Sequence, residues 1–79
     1  MARWEAQIWR VHEYRGHELV SAHSANEEEH ALEAAGRYAE SYQAKGYELT
    51  PEELPDGTRL LRATKGDETL IIQVETREQ

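Results

Sequence analysis

SANEEEHALEAAGRYAESYQAKG, residues 24–46, is the stretch whose reading decides the fold. It has a helix start, a helical apolar stripe and a helix stop. Ser24 with Glu27, and Asn26 with Glu29, stand at the spacing in which N-cap and N3 side chains satisfy the free amides of a first turn. Glu27, Glu28 and Glu29 also oppose the positive end of the helix dipole, the ordinary structural reason for such a triplet. Ala31, Leu32, Ala35, Tyr38, Ala39 and Tyr42 recur at spacings of three and four and form one apolar stripe. Glu29, Glu33, Arg37 and Glu40 run down the other face, with Glu33 and Arg37 ordered for an i,i+4 pair. Lys45 and Gly46 mark the C-terminus. Gly36 costs about 1 kcal/mol relative to alanine inside a helix, which points to close packing or to a partner's approach.

Outward from the helix the pattern changes to a period of two. RWEAQIWRVH, residues 3–12, reads as a strand with Trp4, Ala6 and Ile8 on one face and Trp9 and Val11 on the other. Both faces are partly apolar. Either the strand is covered twice, or a bulge near Ile8–Trp9 switches the faces, or one tryptophan is exposed for contact. EYRG offers turn chemistry, and HELVSAH, residues 17–23, returns as the second strand of a hairpin.

After the helix, YELT (residues 47–50) is a short extra strand. Pro51 and Pro55 interrupt pairing, and PEEL between them reads as one helical turn with Pro51 at its first position. Asp56–Gly57 is a turn signal. TRLLRAT (residues 58–64), a tight KGDE turn and TLIIQVET (residues 69–76) make a second hairpin, with Leu70, Ile72 and Val74 facing the core and Ile71 ambiguous. A frayed tail is expected over residues 77–79. The expected fold is α+β, a single domain over residues 1–79. Its antiparallel sheet has four strands, five if YELT counts, in the order β-β-α-β-β with one long helix on one face.

Composition bounds the rest. A chain of 79 residues without cysteine or phenylalanine has a modest core and no thiolate or disulfide staple. Two tryptophans in so small a chain invite pairing with a second copy. No apolar run approaches the roughly 18 residues of a membrane span, and no basic-then-apolar leader opens the chain, so the expected location is the host-cell cytoplasm.

Chemistry-bearing motifs are missing. His12 and His17 flank the first turn, but a zinc site needs a third and fourth ligand, and the ordinary reading of His12, His17, His23 and His30 is surface histidine. Ser21, Ser24 and Ser41 lie in no nucleophile elbow, and no glycine-rich loop precedes the helix. The sequence therefore points away from an enzyme and names no cofactor, metal or catalytic residue.

Charge is the informative feature. The net charge is −7, and residues 1–23 and 59–79 each sum to zero. Residues 24–58 hold nine acids (Glu27, Glu28, Glu29, Glu33, Glu40, Glu48, Glu52, Glu53 and Asp56) against Arg37 and Lys45. Such a field repels nucleic acid and favours a cationic partner, although it also keeps a small protein soluble. Carboxylates spaced along a helix and its following loop can occupy an Arg/Lys-lined groove as phosphates do. In size, acidity and lack of a catalytic motif the chain resembles the small phage-encoded inhibitors, among them anti-CRISPR proteins and other DNA mimics. The resemblance is one of size and charge. It implies a non-enzymatic inhibitor bound to a basic nucleic-acid-binding protein, such as a CRISPR effector subunit, acting by steric block. The rival reading is a homodimerising adaptor module whose acids serve only solubility.

Overall fold

The structure, a computed structural model, describes residues 2–12 and 16–78, with the side chains of residues 3–12 and 16–76. Six elements follow one another: β1 (Ala2–His12), β2 (Gly16–Ala25), α1 (Glu28–Ala44), β3 (Glu48–Glu53), β4 (Arg59–Lys65) and β5 (Glu68–Glu78). The strands form one antiparallel sheet in the spatial order β2-β1-β5-β4-β3. The first and last long strands pair along their length, from Ala2 opposite Glu78 to Arg10 opposite Leu70, and so join the two halves of the chain. The class is the expected α+β with a helix on one face, but the chain order is β-β-α-β-β-β.

The extra strand expected at YELT is present as β3, but it runs on through residues 51–53, where PEEL was expected to make a helical turn. Instead Pro51 lies inside β3, opposite Leu61 of β4. An edge strand pairs on one side only, so the missing proline N–H interrupts no second ladder there. At the other end of the chain, Arg77 and Glu78 pair with Arg3 and Ala2, so β5 runs into the expected frayed tail. The predicted turn at residues 13–15 lies outside the described residues.

The helix starts later than its capping signals. Glu27 is the N-cap, in an extended conformation and with no side-chain cap hydrogen bond. Ser24 belongs to β2, opposite Glu5, and donates its hydroxyl to Glu5 Oε2 at 3.4 Å. The sheet has taken the residue that the helix was expected to use. The C-terminus follows its signals closely. Gly46 N–H bonds to Gln43 O at 3.0 Å and Tyr47 N–H to Tyr42 O at 3.1 Å, a Schellman pair with Gly46 at φ 96°. The accompanying contact is between the Tyr42 and Tyr47 rings, edge to face with centroids 5.2 Å apart. This cap turns the chain directly into β3.

The core lies between α1 and one face of the sheet. Ile8, Ala39, Ala63, Leu70 and Ile72 are buried there, with Ala35, Tyr38, Tyr42, Tyr47, Leu49 and Leu61 packed around them. Ala34 is buried where the predicted stripe omitted it, and Leu32, expected in the stripe, is 52% exposed. By rotation Leu32 lies within about 20° of the buried Ala39, two turns further on, so its exposure comes from its place near the start of the helix, where it borders a cleft with Ala35, Pro51 and Leu61. Ion pairs join Arg10 to Glu68, His12 to Glu18 and Arg62 to Glu52, and none joins Glu33 to Arg37. Of the nine buried apolar residues among those described, Ala6, Ala31, Ala34, Ala39 and Ala63 are alanines, so the interior is built largely from single methyl groups.

Candidate binding surfaces

Two surfaces remain once the core is assigned, the outer face of α1 and the sheet face that α1 leaves uncovered. The helix outer face is the simpler. Glu29, Glu33 and Glu40 are all exposed, and at 100° per residue they fall within about 40° of one another. They lie opposite the side that carries Ala31, Ala35, Tyr38 and Tyr42. A rise of 1.5 Å per residue spreads them over roughly 16 Å, with Arg37 beside them. Glu27 and Glu28 are exposed at the helix start.

The other four predicted acids do not join this row. Leu49 packs on the core, so the alternating Glu48 and Glu52 lie on the uncovered face of the sheet, away from the helix. Glu52 is also partly neutralised, because Arg62 donates to its Oε2 at 2.9 Å. Glu53 is exposed on the helix side of β3. Asp56 sits in the β3–β4 turn, where its Oδ1 accepts the Thr58 N–H at 2.9 Å, and that bond holds its carboxyl below the usual value. The sequence placed nine acids in one charged segment; the fold divides them between two faces and a turn.

The uncovered sheet face carries a feature that the sequence did not signal. Gln7 is fully buried on it. Its Nε2 donates to Glu5 Oε1 at 2.7 Å and to Glu75 Oε2 at 2.9 Å. Its Oε1 accepts from Trp9 Nε1 at 2.8 Å and from Gln73 Nε2 at 2.9 Å. The carboxylates can only accept when ionised and the indole can only donate, so the orientation of the amide is fixed by its neighbours. Glu5 and Glu75 are direct cross-strand partners, an arrangement that the shared amide makes tolerable.

Beside this network the face carries an apolar patch bordered by His17, Glu52 and Arg62. Trp9 lies opposite Leu19 on β2 and Ile71 on β5, and Ile71 opposite Arg62 on β4. Trp9, Val11, Leu54, Leu60 and Ile71 line a depression of about 570 Å³. The bulge expected near Ile8–Trp9 exists, but its extra residue is Val20 of β2, between Ser21 opposite Ile8 and Leu19 opposite Trp9. β1 therefore keeps its alternation, placing Ile8 in the core and Trp9 on the uncovered face. That alternation was the available signal: Trp9, Val11 and the ambiguous Ile71 were the residues left over from the core face.

A second cleft, of about 620 Å³, opens between the flank of α1 and the β3 side of the sheet, lined by Leu32, Ala35, Gly36, Pro51, Leu61 and Val74 among others. Gly36 is not closely packed here: a Cβ built on it meets nothing within 4 Å. The histidines do not converge. His12 lies opposite Gly16 and His17 opposite Val11, so the two point to opposite faces, and His12 Nε2 stands 3.6 Å from Glu18 Oε1. Among the described residues no three His, Cys, Asp or Glu side chains are grouped to hold a metal ion, and no helix is long and apolar enough to cross a membrane.

Near the helix C-terminus, Tyr47 donates its hydroxyl to Glu68, which also faces Arg10 at 3.8 Å. The hydrogen bond to Glu68, helped by burial and by the carboxylate's charge, raises the Tyr47 phenol above its ordinary value. Comparison with protein-family models, with curated proteins and with solved structures finds no match to this chain.

Proposed function

We propose that the chain is a non-enzymatic binding protein whose α1 outer face enters a basic groove of a nucleic-acid-binding protein, standing in for phosphates and blocking the groove. A CRISPR effector subunit is the type of partner this implies. The observation that supports the reading is the alignment of Glu29, Glu33 and Glu40 on the side of α1 away from the core, so all three carboxylates can meet one partner without disturbing the fold. On this reading the candidate row is Glu27, Glu28, Glu29, Glu33 and Glu40, which are exposed on α1 or at its start. Glu48 and Glu52 lie on the other side of the molecule, and Asp56 is engaged in its turn. Electrostatic capture of this kind is fast and weakens with salt.

The test is inhibition of DNA binding by a CRISPR effector complex, measured by electrophoretic mobility with rising amounts of the protein. Wild type should inhibit. The triple reversal of Glu29, Glu33 and Glu40 to lysine should not, while its circular dichroism stays unchanged. Equal inhibition by the folded triple variant would rule the reading out. The rival reading, a homodimerising module, is favoured by a different observation, the Trp9, Val11, Leu54 and Ile71 patch on the sheet face that α1 leaves uncovered.

A further inference from the structure

We infer that the cleft between α1 and the β3 side of the sheet takes one large apolar side chain from a basic segment of the partner, beside the lysines or arginines that meet the α1 acids. The inference rests on the acidic-row reading and deepens it with an anchor point and the residues that hold it. The cleft measures about 620 Å³, within the roughly 300–1,000 Å³ of pockets that hold compact organic molecules. Its helix wall is Leu32, Ala35 and Gly36, and Pro51, Leu61 and Val74 face them from the sheet. Leu32 is the most exposed large apolar side chain among the described residues, at 52%.

Gly36 ties this cleft to the acids. At 100° per residue it lies about 20° from Glu29, about 40° from Glu40 and about 60° from Glu33, within the acidic row itself. Along the helix axis it stands about 4.5 Å beyond Glu33 and about 6 Å short of Glu40. It is the bare position in a stripe of carboxylates, and it borders the cleft. A glycine here costs α1 about 1 kcal/mol, and packing within the chain does not call for it, because a Cβ would meet nothing within 4 Å. A partner that meets the three carboxylates lies against the helix backbone at this point.

The surrounding charges fix the chemistry of the segment. Glu52 and Gln73 belong to the lining, but their side chains bond to Arg62 and Gln7 on the other face of the sheet. Glu53 and Arg59 stand opposite each other on β3 and β4, so their charges balance. On α1, Glu28, Glu29, Glu33 and Glu40 are exposed, and Arg37 lies on the far side of the row from the cleft. The border is net negative, so the segment that fits it is cationic around an apolar centre. Charge draws such a segment in, and the desolvated side chain holds it.

The experiment is a titration of the isotope-labelled full chain, followed by its amide chemical shifts, with two capped pentapeptides, Lys-Lys-Trp-Lys-Lys and Lys-Lys-Ala-Lys-Lys. The tryptophan peptide should bind at least about fivefold tighter and shift the amides of Ala35, Gly36 and Leu61. Leu32→Ser and Gly36→Gln, both at exposed helix positions, should keep the fold and bring the two affinities within about twofold of each other. Equal affinities in the wild type, with both lost on reversal of Glu29, Glu33 and Glu40 to lysine, overturn the inference and leave the acidic-row reading standing. Tryptophan-specific shifts at Trp9 and Ile71 in place of Gly36, a preference that survives in both variants, or no binding of either peptide overturn it as well. Affinities that the triple reversal does not reduce overturn the acidic-row reading, and this inference with it.

Discussion

Gln7 concentrates more of this protein's polar economy than any other residue. It is fully buried, and it holds a tryptophan, a glutamine and two glutamates in one arrangement. Replacing the amide with a hydrocarbon would leave the Trp9 and Gln73 donors short of an acceptor and remove the donor that Glu5 and Glu75 share. Gln7→Leu should therefore lower unfolding stability by about 2 kcal/mol, read as a fall in the denaturant midpoint at fixed protein concentration. An unchanged midpoint would mean that water serves those groups equally well. Tyr47 supports a second prediction at this scale. Its folded value is raised from 10.0, so the stability it contributes is fully present below pH 10 and is lost as pH rises through the raised value. Deprotonation removes the hydrogen to Glu68 and sets two negative groups side by side. In Tyr47→Phe that part of the alkaline fall in stability should vanish, and an unaltered alkaline limb would contradict the assignment.

At the scale of elements, α1 carries a defect that the fold does not require. Gly36 lies mid-helix, is exposed, and has room for a Cβ. Gly36→Ala should therefore stabilise the protein by about 1 kcal/mol in thermal or chemical unfolding, the ordinary helix-propensity gain. A loss of stability would show that the backbone there needs glycine. The helix, both hairpins and the Gly46 stop were legible in the sequence because each is written in local periodicity and punctuation. Three features were not. Ser24 carries an N-cap signal, but cross-strand pairing with Glu5 took it. Pro51 argues against a strand until its strand is known to be an edge, which is a fact of topology. Leu32 fits a three-four spacing, yet the narrow alanine-lined contact with the sheet leaves it outside.

The whole molecule is a single sheet with a helix on one side and, on the other, an uncovered face where Trp9, Val11 and Ile71 lie among Gln7, Glu52, Arg62 and Gln73. Pairing of β1 with β5 makes it so, because it brings Glu5 to Glu75, Gln7 to Gln73 and Trp9 to Ile71 across nearly the full length of the chain. No local pattern announces those partners, so the uncovered face was visible in the sequence only as residues left over from the core. The charge of residues 24–58 was fully legible as a sum but not as a surface, since alternation in β3 sends Glu48 and Glu53 to different sides. Two charge-reversal sets compared in one DNA-displacement assay test this division most directly. One set changes Glu29, Glu33 and Glu40 to lysine, and the other changes the exposed Glu48 and Glu53 to lysine. The account predicts at least about a tenfold loss of inhibition for the helix set and less than about a twofold change for the strand set, with both folded. Equal losses from the two sets, or a loss from the strand set alone, would contradict it.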